Sequence, residues 1–238
     1  MSDNDNNSPR PDLHINHAGT IQYWNTIPAT VDGMLGGYAQ ISTLDLRGSS
    51  AFLSKLRRLL PSSFGSSMTV QLGVDCGAGI GRVTNGLLSK ICDVVDVVEP
   101  VEKFAAVVRT GKTMAEGKIG DIYVTGLQDW TPTKKYDLIW NQWCLDHLTD
   151  DQVVAYLIRC RGALSERGLV VIKENMNSVG CEDFYDDTDN TVTRAEESFV
   201  ELFRRAGFAI VRAEEETGFP ERLGLLRVKF FALRPEEP

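Results

Sequence analysis

No two cysteines in this 238-residue sequence are spaced as C-x-x-C. Cys76, Cys92, Cys144, Cys160 and Cys181 are odd in number and scattered. That argues against a zinc site, a dithiol redox couple or a disulfide framework, so no metal is expected and the thiols should be reduced, as in cytoplasm or nucleus. Long hydrophobic runs are also missing: nothing approaches the ~20 apolar residues of a membrane span. The opening segment MSDNDNNSPRPD has no apolar stretch and does not read as a secretory signal. Positive charge is in deficit, with 25 Lys and Arg against 33 Asp and Glu and a net charge of -8. This disfavours non-specific binding to nucleic acid and is compatible with a cationic substrate. The expectation is a monomer that engages neither nucleic acid nor membrane. What is present, 42% hydrophobic and 24% charged residues, suits one globular domain with a sizeable core.

Residues 1–17, rich in Asn, Asp, Ser and Pro, are expected to form a disordered tail, leaving 18–238 as a single domain. Residues 18–60 read as a helical extension, interrupted by the turn-rich stretch Asp32-Gly33-Met34-Leu35-Gly36-Gly37. Ser49 or Ser50 is a candidate cap for a helix with Phe52, Leu53, Leu56, Leu59 and Leu60 on one face. From residue 69 short apolar runs alternate with helical stretches. Strands are predicted over 69–75, 94–99, 122–125, 136–141 and 169–173, and helices over 81–90, 101–112 and 150–164. A helix near 193–206 and strands near 208–213 and 226–233 follow. The alternation predicts a parallel sheet buried on both faces. The fold class is therefore α/β, Rossmann-like, with seven strands, helices on both faces and an N-terminal helical extension.

The sharpest motif is Val74-Asp75-Cys76-Gly77-Ala78-Gly79-Ile80-Gly81-Arg82, between a strand and a helix. Glycines at such a turn let the backbone approach a ligand closely. The spacing is G-x-G-x-G; a dinucleotide fingerprint would place its third glycine at position 82, which is Arg. With Asp75 two residues ahead, the loop resembles that of S-adenosylmethionine-dependent methyltransferases. Glu99 ends the second strand, where a carboxylate accepts hydrogen bonds from ribose hydroxyls. Gly126-Leu127-Gln128-Asp129-Trp130 follows the third strand as a candidate adenine frame. Gln142 follows the fourth as a candidate partner of the cofactor's amino-acid end. These positions share the carboxyl ends of successive strands, where open α/β sheets bind ligands.

Over about residues 20–235 the chain resembles the α-N-terminal protein methyltransferases, which methylate the terminal amine of proteins beginning X-Pro-Lys after Met removal. The resemblance rests on Tyr23-Trp24, Ile27-Pro28, the run from Thr30 to Tyr38, the loop from Asp75 to Arg82, and Gly126 to Asp129. Ile139-Trp140-Asn141-Gln142-Trp143, His147-Leu148, Val171 to Asn175 and Asp186 to Asp189 also match. It implies that Gly77, Gly79, Arg82, Glu99, Leu127, Gln128 and Gln142 bind S-adenosylmethionine, with Arg82 on the cofactor's carboxylate. It implies that Asp189, His147 and Asn175 are catalytic, with Asn175 holding the first peptide unit. Trp24, Leu35, Ile41, Trp143 and Asp186 would bind the substrate, a protein with an exposed X-Pro-Lys N-terminus, and the 18–60 extension would wall the peptide groove.

The chemistry fits those residue types. An α-amine is mostly protonated at neutral pH, so a proton acceptor is required. Histidine and carboxylate side chains are the natural candidates. Proline at substrate position two fixes its own backbone angle and is read by a shaped pocket, with Trp24 and Trp143 as candidate walls. Glu182, Asp183, Asp186, Asp187 and Asp189 form an acidic cluster for the basic third residue. Read alone, the same features are a solvated acidic loop, a surface histidine and core tryptophans, Trp140 above all. The chain departs from the family in three places. Asp146 precedes His147 where a glycine is usual, the stretch 222–230 has no tyrosine, and two extra residues separate Asn175 from Asp189. A methyltransferase acting on a small amine or metabolite is the main alternative. A non-enzymatic adaptor docking basic N-termini and a dehydrogenase stand behind it.

Overall fold

A computed structural model describes residues 10–64, 69–177 and 182–236. Cys181 and residues 1–9 of the expected tail lie outside them. Helix α1 (His17–Thr26) is capped by the Asn16 side chain, which accepts the Gly19 N–H at 3.2 Å. Thr30 likewise caps α2 (Val31–Met34) by accepting the Gly33 N–H at 3.1 Å. After the turn Ala39–Ile41 come α3 (Ser42–Leu59) and α4 (Pro61–Phe64). The remaining order is β1 (Val70–Cys76), α5 (Arg82–Gly86), β2 (Cys92–Val98), α6 (Glu102–Thr110), α7 (Lys112–Ala115), β3 (Ile119–Tyr123) and β4 (Tyr136–Gln142). Then follow α8 (Asp150–Ala163), β5 (Leu164–Met176), β6 (Phe184–Asp186), β7 (Thr191–Thr193), α9 (Glu196–Arg205), β8 (Phe208–Glu215) and β9 (Arg227–Pro235).

Seven strands form one sheet in the order β3-β2-β1-β4-β5-β9-β8. The first five run parallel, and β9 pairs antiparallel with both β5 and β8. The expected Rossmann-like architecture is thus present, including the antiparallel C-terminal pair. Alternation along the strands sends Val74, Ile139, Val170 and Ile172 to one face, against Tyr156, Leu157, Phe199 and Phe203 of α8 and α9. Leu138, Trp140, Val171 and Phe230 face the other way, against Phe52, Leu53 and Leu56 of α3. Trp140 is core, as its strand pattern suggests. The strand order reverses at β1, which opens a crevice at the carboxyl ends of β1 and β4.

Several expectations are corrected. Neither Ser49 nor Ser50 caps a helix: α3 starts at Ser42, and Ser49 is buried in its interior, where its hydroxyl accepts from Lys173 Nζ at 3.2 Å. The helix predicted over 81–90 is the short α5 followed by a 3₁₀ turn, Leu88–Lys90. The tail does not extend to residue 17. Pro11–His14 forms a 3₁₀ turn, and the buried Asp12 accepts the Asp150 N–H at 2.9 Å, satisfying a free donor at the start of α8. That docking is polar, so hydrophobic patterning gives no sign of it. The hairpin β6–β7 was not foreseen, because strands this short carry no readable alternation.

Candidate active site

Above the carboxyl ends of β1, β2, β4 and β5 lies a cavity of about 960 Å³. The extension roofs it. Lys103 on α6 donates to the carbonyls of Asn25 (2.7 Å) and Ile27 (2.5 Å), catching the unsatisfied acceptors at the end of α1. Trp24 packs edge-on against Phe104 of α6, and Ile21, Ile27 and Met34 join the same apolar cluster. Leu35 and Ile41, both buried, line the cavity from this side.

On the floor, Gly77 and Gly79 form a cradle. Each has positive φ (+68° and +56°). A Cβ at Gly77 would lie 2.4 Å from that of Cys144, and one at Gly79 would lie 2.7 Å from Met34 Sδ. Glu99, almost fully buried, accepts the Gly79 N–H on Oε2 and the Val101 N–H on Oε1, each at 2.7 Å. Burial pushes its carboxyl up to about 7 despite those two bonds. Each carboxylate oxygen keeps a further lone pair for a ligand hydroxyl. Beside it Leu127 and Gln128 line the wall. Their carbonyls and that of Trp130 are held by Arg159 at 2.8, 3.1 and 2.9 Å.

Arg82 and Gln142 line the far end, and behind both stands Asp45. Arg82 Nη1 donates to Asp45 Oδ2 at 2.6 Å, and Gln142 Nε2 reaches both oxygens at 2.9 and 3.1 Å. The fully buried Lys173 donates to Asp45 Oδ1 at 2.5 Å and to Glu216 Oε2 at 3.1 Å. Burial alone would raise the Asp45 carboxyl, but Lys173 and Arg82 hold it below its ordinary value. Sequence reasoning gave no role to Asp45, Lys173 or Glu216. Positions 45, 49, 52, 53 and 56 share one helical face, so an acid at 45 on an otherwise buried stripe was the available signal.

The third part of the cavity is lined by His147, Asp189 and Asn175, the residues expected from the sequence to be catalytic. The indole N–H of Trp24 donates to His147 Nε2 at 3.2 Å. Indole is a donor only, so a neutral His147 carries its proton on Nδ1. Asp189 lines the same wall, with Thr191 Oγ1 donating to its Oδ1 at 2.7 Å. Burial raises the Asp189 carboxyl, repulsion from Asp146 and Asp186 adds to the effect, and Thr191 and His147 oppose it. Asn175, at the end of β5, also lines the wall. Trp143 adopts φ +54°, a strained conformation for a bulky residue, and its ring lies 5.6 Å from the Arg82 guanidinium carbon. Trp143 Nε1, Asp146 Oδ1 and His147 Nδ1 are buried without hydrogen-bond partners. Orphaned polar atoms on a cavity wall mark where a bound ligand supplies partners.

Of the acidic cluster singled out in the sequence, only Asp189 reaches the wall; Glu182, Asp183, Asp186 and Asp187 do not line it. Asp183 instead accepts from the Ala195 N–H and the Ser198 hydroxyl. Asp186 Oδ1 accepts the Thr188 N–H at 2.9 Å, closing the β6–β7 turn, and it acts on Asp189 only through charge. Among the described residues no group of three His, Cys, Asp or Glu is placed to hold a metal, and no helix is long and apolar enough to cross a membrane. The four described cysteines are buried and unpaired.

The family model for AdoMet-dependent proline di-methyltransferases matches residues 12–234. The chain is 44% identical over 222 residues to alpha N-terminal protein methyltransferase 1 of Schizosaccharomyces pombe, covering 92% of this chain and 96% of that protein. It is 40% identical over 213 residues to N-terminal Xaa-Pro-Lys N-methyltransferase 1 of Rattus norvegicus, covering 89% and 92%. Among solved structures, a SAM-dependent methyltransferase from Leishmania major superposes with a TM-score of 0.80 at 29% identity, over 92% of this chain and 82% of that one.

Proposed function

Because the chain belongs to the AdoMet-dependent proline di-methyltransferase family, we infer that it methylates the α-amino group of proteins whose N-terminus reads X-Pro-Lys or X-Pro-Arg. The observation that carries this is one cavity holding two ligand-binding regions. A glycine cradle, Glu99, Arg82 and Gln142 occupy one region, and Asp189, His147, Asn175 and two tryptophans the other. Such a cavity would also suit a methyltransferase for small amines; similarity over 89% of this chain to N-terminal Xaa-Pro-Lys N-methyltransferase 1 favours a protein N-terminus.

S-adenosylmethionine, when bound, supplies a methyl group made electrophilic by its sulfonium. The residues present fit it. Gly77 and Gly79 leave room for close approach, Glu99 offers lone pairs for ribose hydroxyls, and Leu127 and Gln128 flank the adenine side. Arg82 and Gln142 present donors to the amino-acid carboxylate. In the second region Asp189 is the readier proton acceptor. His147 Nε2 is occupied by the Trp24 indole, whereas burial raises the Asp189 carboxyl and so strengthens it as a base. His147 Nδ1–H is then a donor that meets an acceptor such as the first peptide carbonyl, and His147 takes a share of the proton when Trp24 releases Nε2. Asn175 presents its amide to the first peptide unit. Trp24, Trp143, Leu35 and Ile41 wall the groove for the proline ring, and the acidic β6–β7 turn meets the basic third residue. Aligning the amine with the methyl group contributes much of the acceleration.

Three peptides test the reading. A Ser-Pro-Lys peptide should be turned over in the presence of S-adenosylmethionine, and its acetylated form should not. Replacing the third residue by Glu should sharply reduce turnover. Methylation of the acetylated peptide at its lysine would make the enzyme a lysine methyltransferase and overturn the assignment.

A further inference from the structure

We propose that Asp45 is a positioning residue for the cofactor's amino-acid end, fixing from α3 the donors of Arg82 and Gln142 that meet the ligand's carboxylate. The inference rests on the reading of Arg82 and Gln142 given above. Asp45 is fully buried and lies behind these two side chains, which line the cavity as it does not. One bond of 2.6 Å ties Arg82 Nη1 to Asp45 Oδ2. A guanidinium has five N–H donors in a rigid fork, so this tie sets its orientation and leaves donors for a bidentate carboxylate contact. The Gln142 amide is fixed from both ends. Its Nε2 faces Asp45, and its Oε1 accepts the Trp140 indole N–H at 3.3 Å. Reversing the amide would set N–H against N–H on one side and oxygen against carboxylate on the other.

Packing alone does not call for an acid at this position. Phe52, Leu53 and Leu56 already bury the same face of α3, and a buried ion carries a desolvation cost. Lys173 and Glu216 complete the arrangement, so the two cations Arg82 and Lys173 meet two anions. Asp45 stands one turn after Ile41, which lines the cavity. The segment that forms part of the substrate wall therefore also sets the cofactor's donors.

Calorimetric titration with two ligands separates positioning from a general structural role. S-adenosylhomocysteine carries the amino-acid arm, and methylthioadenosine is the same nucleoside thioether without it. Wild type should prefer S-adenosylhomocysteine. Asp45→Asn should weaken that ligand by about tenfold or more, the scale of losing aligned charge-assisted hydrogen bonds. Methylthioadenosine should change by less than about twofold, since none of its atoms reaches these donors. Asp45→Glu should restore part of the loss. If Asp45→Asn does not fold, the charge-balanced Asp45→Asn/Lys173→Gln variant carries the same comparison. Equal weakening of both ligands would overturn the proposal in favour of a structural role. Unchanged or tighter S-adenosylhomocysteine binding would overturn it by showing that Asp45 is idle or competes for the donors. A wild type that binds both ligands equally would instead remove the Arg82–Gln142 assignment, and the inference with it.

Discussion

Glu99 offers the most quantitative prediction. Its carboxyl is buried, and burial pushes it up to about 7. A ribose diol donates to the ionised form, so binding favours the carboxylate and releases a proton wherever the free protein holds one. For a group with a value near 7, roughly one molecule in eleven is ionised at pH 6 and about ten in eleven at pH 8. If the ligand takes only the ionised form, affinity rises about tenfold between those limits, or about 1.4 kcal/mol. The sign for stability is opposite. A carboxyl raised in the folded state contributes stability below its unfolded value, and that contribution is lost as pH climbs towards 7. The free protein should therefore lose stability from this group over the range in which it gains affinity. Titration of S-adenosylhomocysteine from pH 6 to 8, in buffers of differing ionisation heat, reads both affinity and proton release. Asp75, buried nearby and raised to about 6, also titrates in this range, so Glu99→Gln is the control that assigns the effect. Affinity independent of pH, or affinity that tightens on acidification, would refute the reasoning.

Asp189→Asn should lower kcat by about 100- to 10,000-fold, the usual span for a proton acceptor, while S-adenosylhomocysteine affinity in calorimetry stays unchanged. Equal loss in both would mean a structural role. Gly79→Val places a side chain at φ +56° with its Cβ 2.7 Å from Met34 Sδ, so cofactor binding should fall by more than about tenfold with circular dichroism intact. Wild-type affinity in that variant would remove the cradle from the account. Phe52 is fully buried and stacks on Phe230 at 4.7 Å with 16° between the planes. Phe52→Ala should cost about 3–5 kcal/mol in denaturant titrations, and a loss under about 1 kcal/mol would show that α3 does not depend on this contact.

Most of the sheet was legible because its strands are apolar runs bounded by turn signals, although β3 (Ile119–Tyr123) begins three residues before the strand expected over 122–125. β1, β4 and β5 are apolar runs, and the loop at 77–81 marks where β1 hands over to α5. The candidate cofactor end could be placed from the glycine motif and the strand order, which put Glu99 just after β2 and Gln142 at the end of β4, both on the cavity wall. The parts that escaped are held by polar contacts between residues far apart in sequence. Asp12 meets α8 from 138 positions away, and Asp45 meets Lys173 from 128. Neither partner is visible in local composition. Asp186 went astray for a related reason: an acidic run shows that carboxylates gather, but only the β6–β7 turn decides that Asp189 faces the cavity and Asp186 closes the turn. His147 was found as a residue but not as a geometry. The donation from Trp24 to its Nε2, which occupies that lone pair, depends on how α1 docks across the sheet.

The central claim is that the acceptor atom is the peptide's terminal nitrogen. The direct measurement is fragmentation mass spectrometry of a Pro-Pro-Lys or Ser-Pro-Lys peptide after incubation with wild-type protein and S-adenosylmethionine. The account predicts methyl groups on the first residue's nitrogen and none on the lysine side chain. Methyl groups on the lysine, or transfer to free small amines while the peptide stays unmodified, would contradict it.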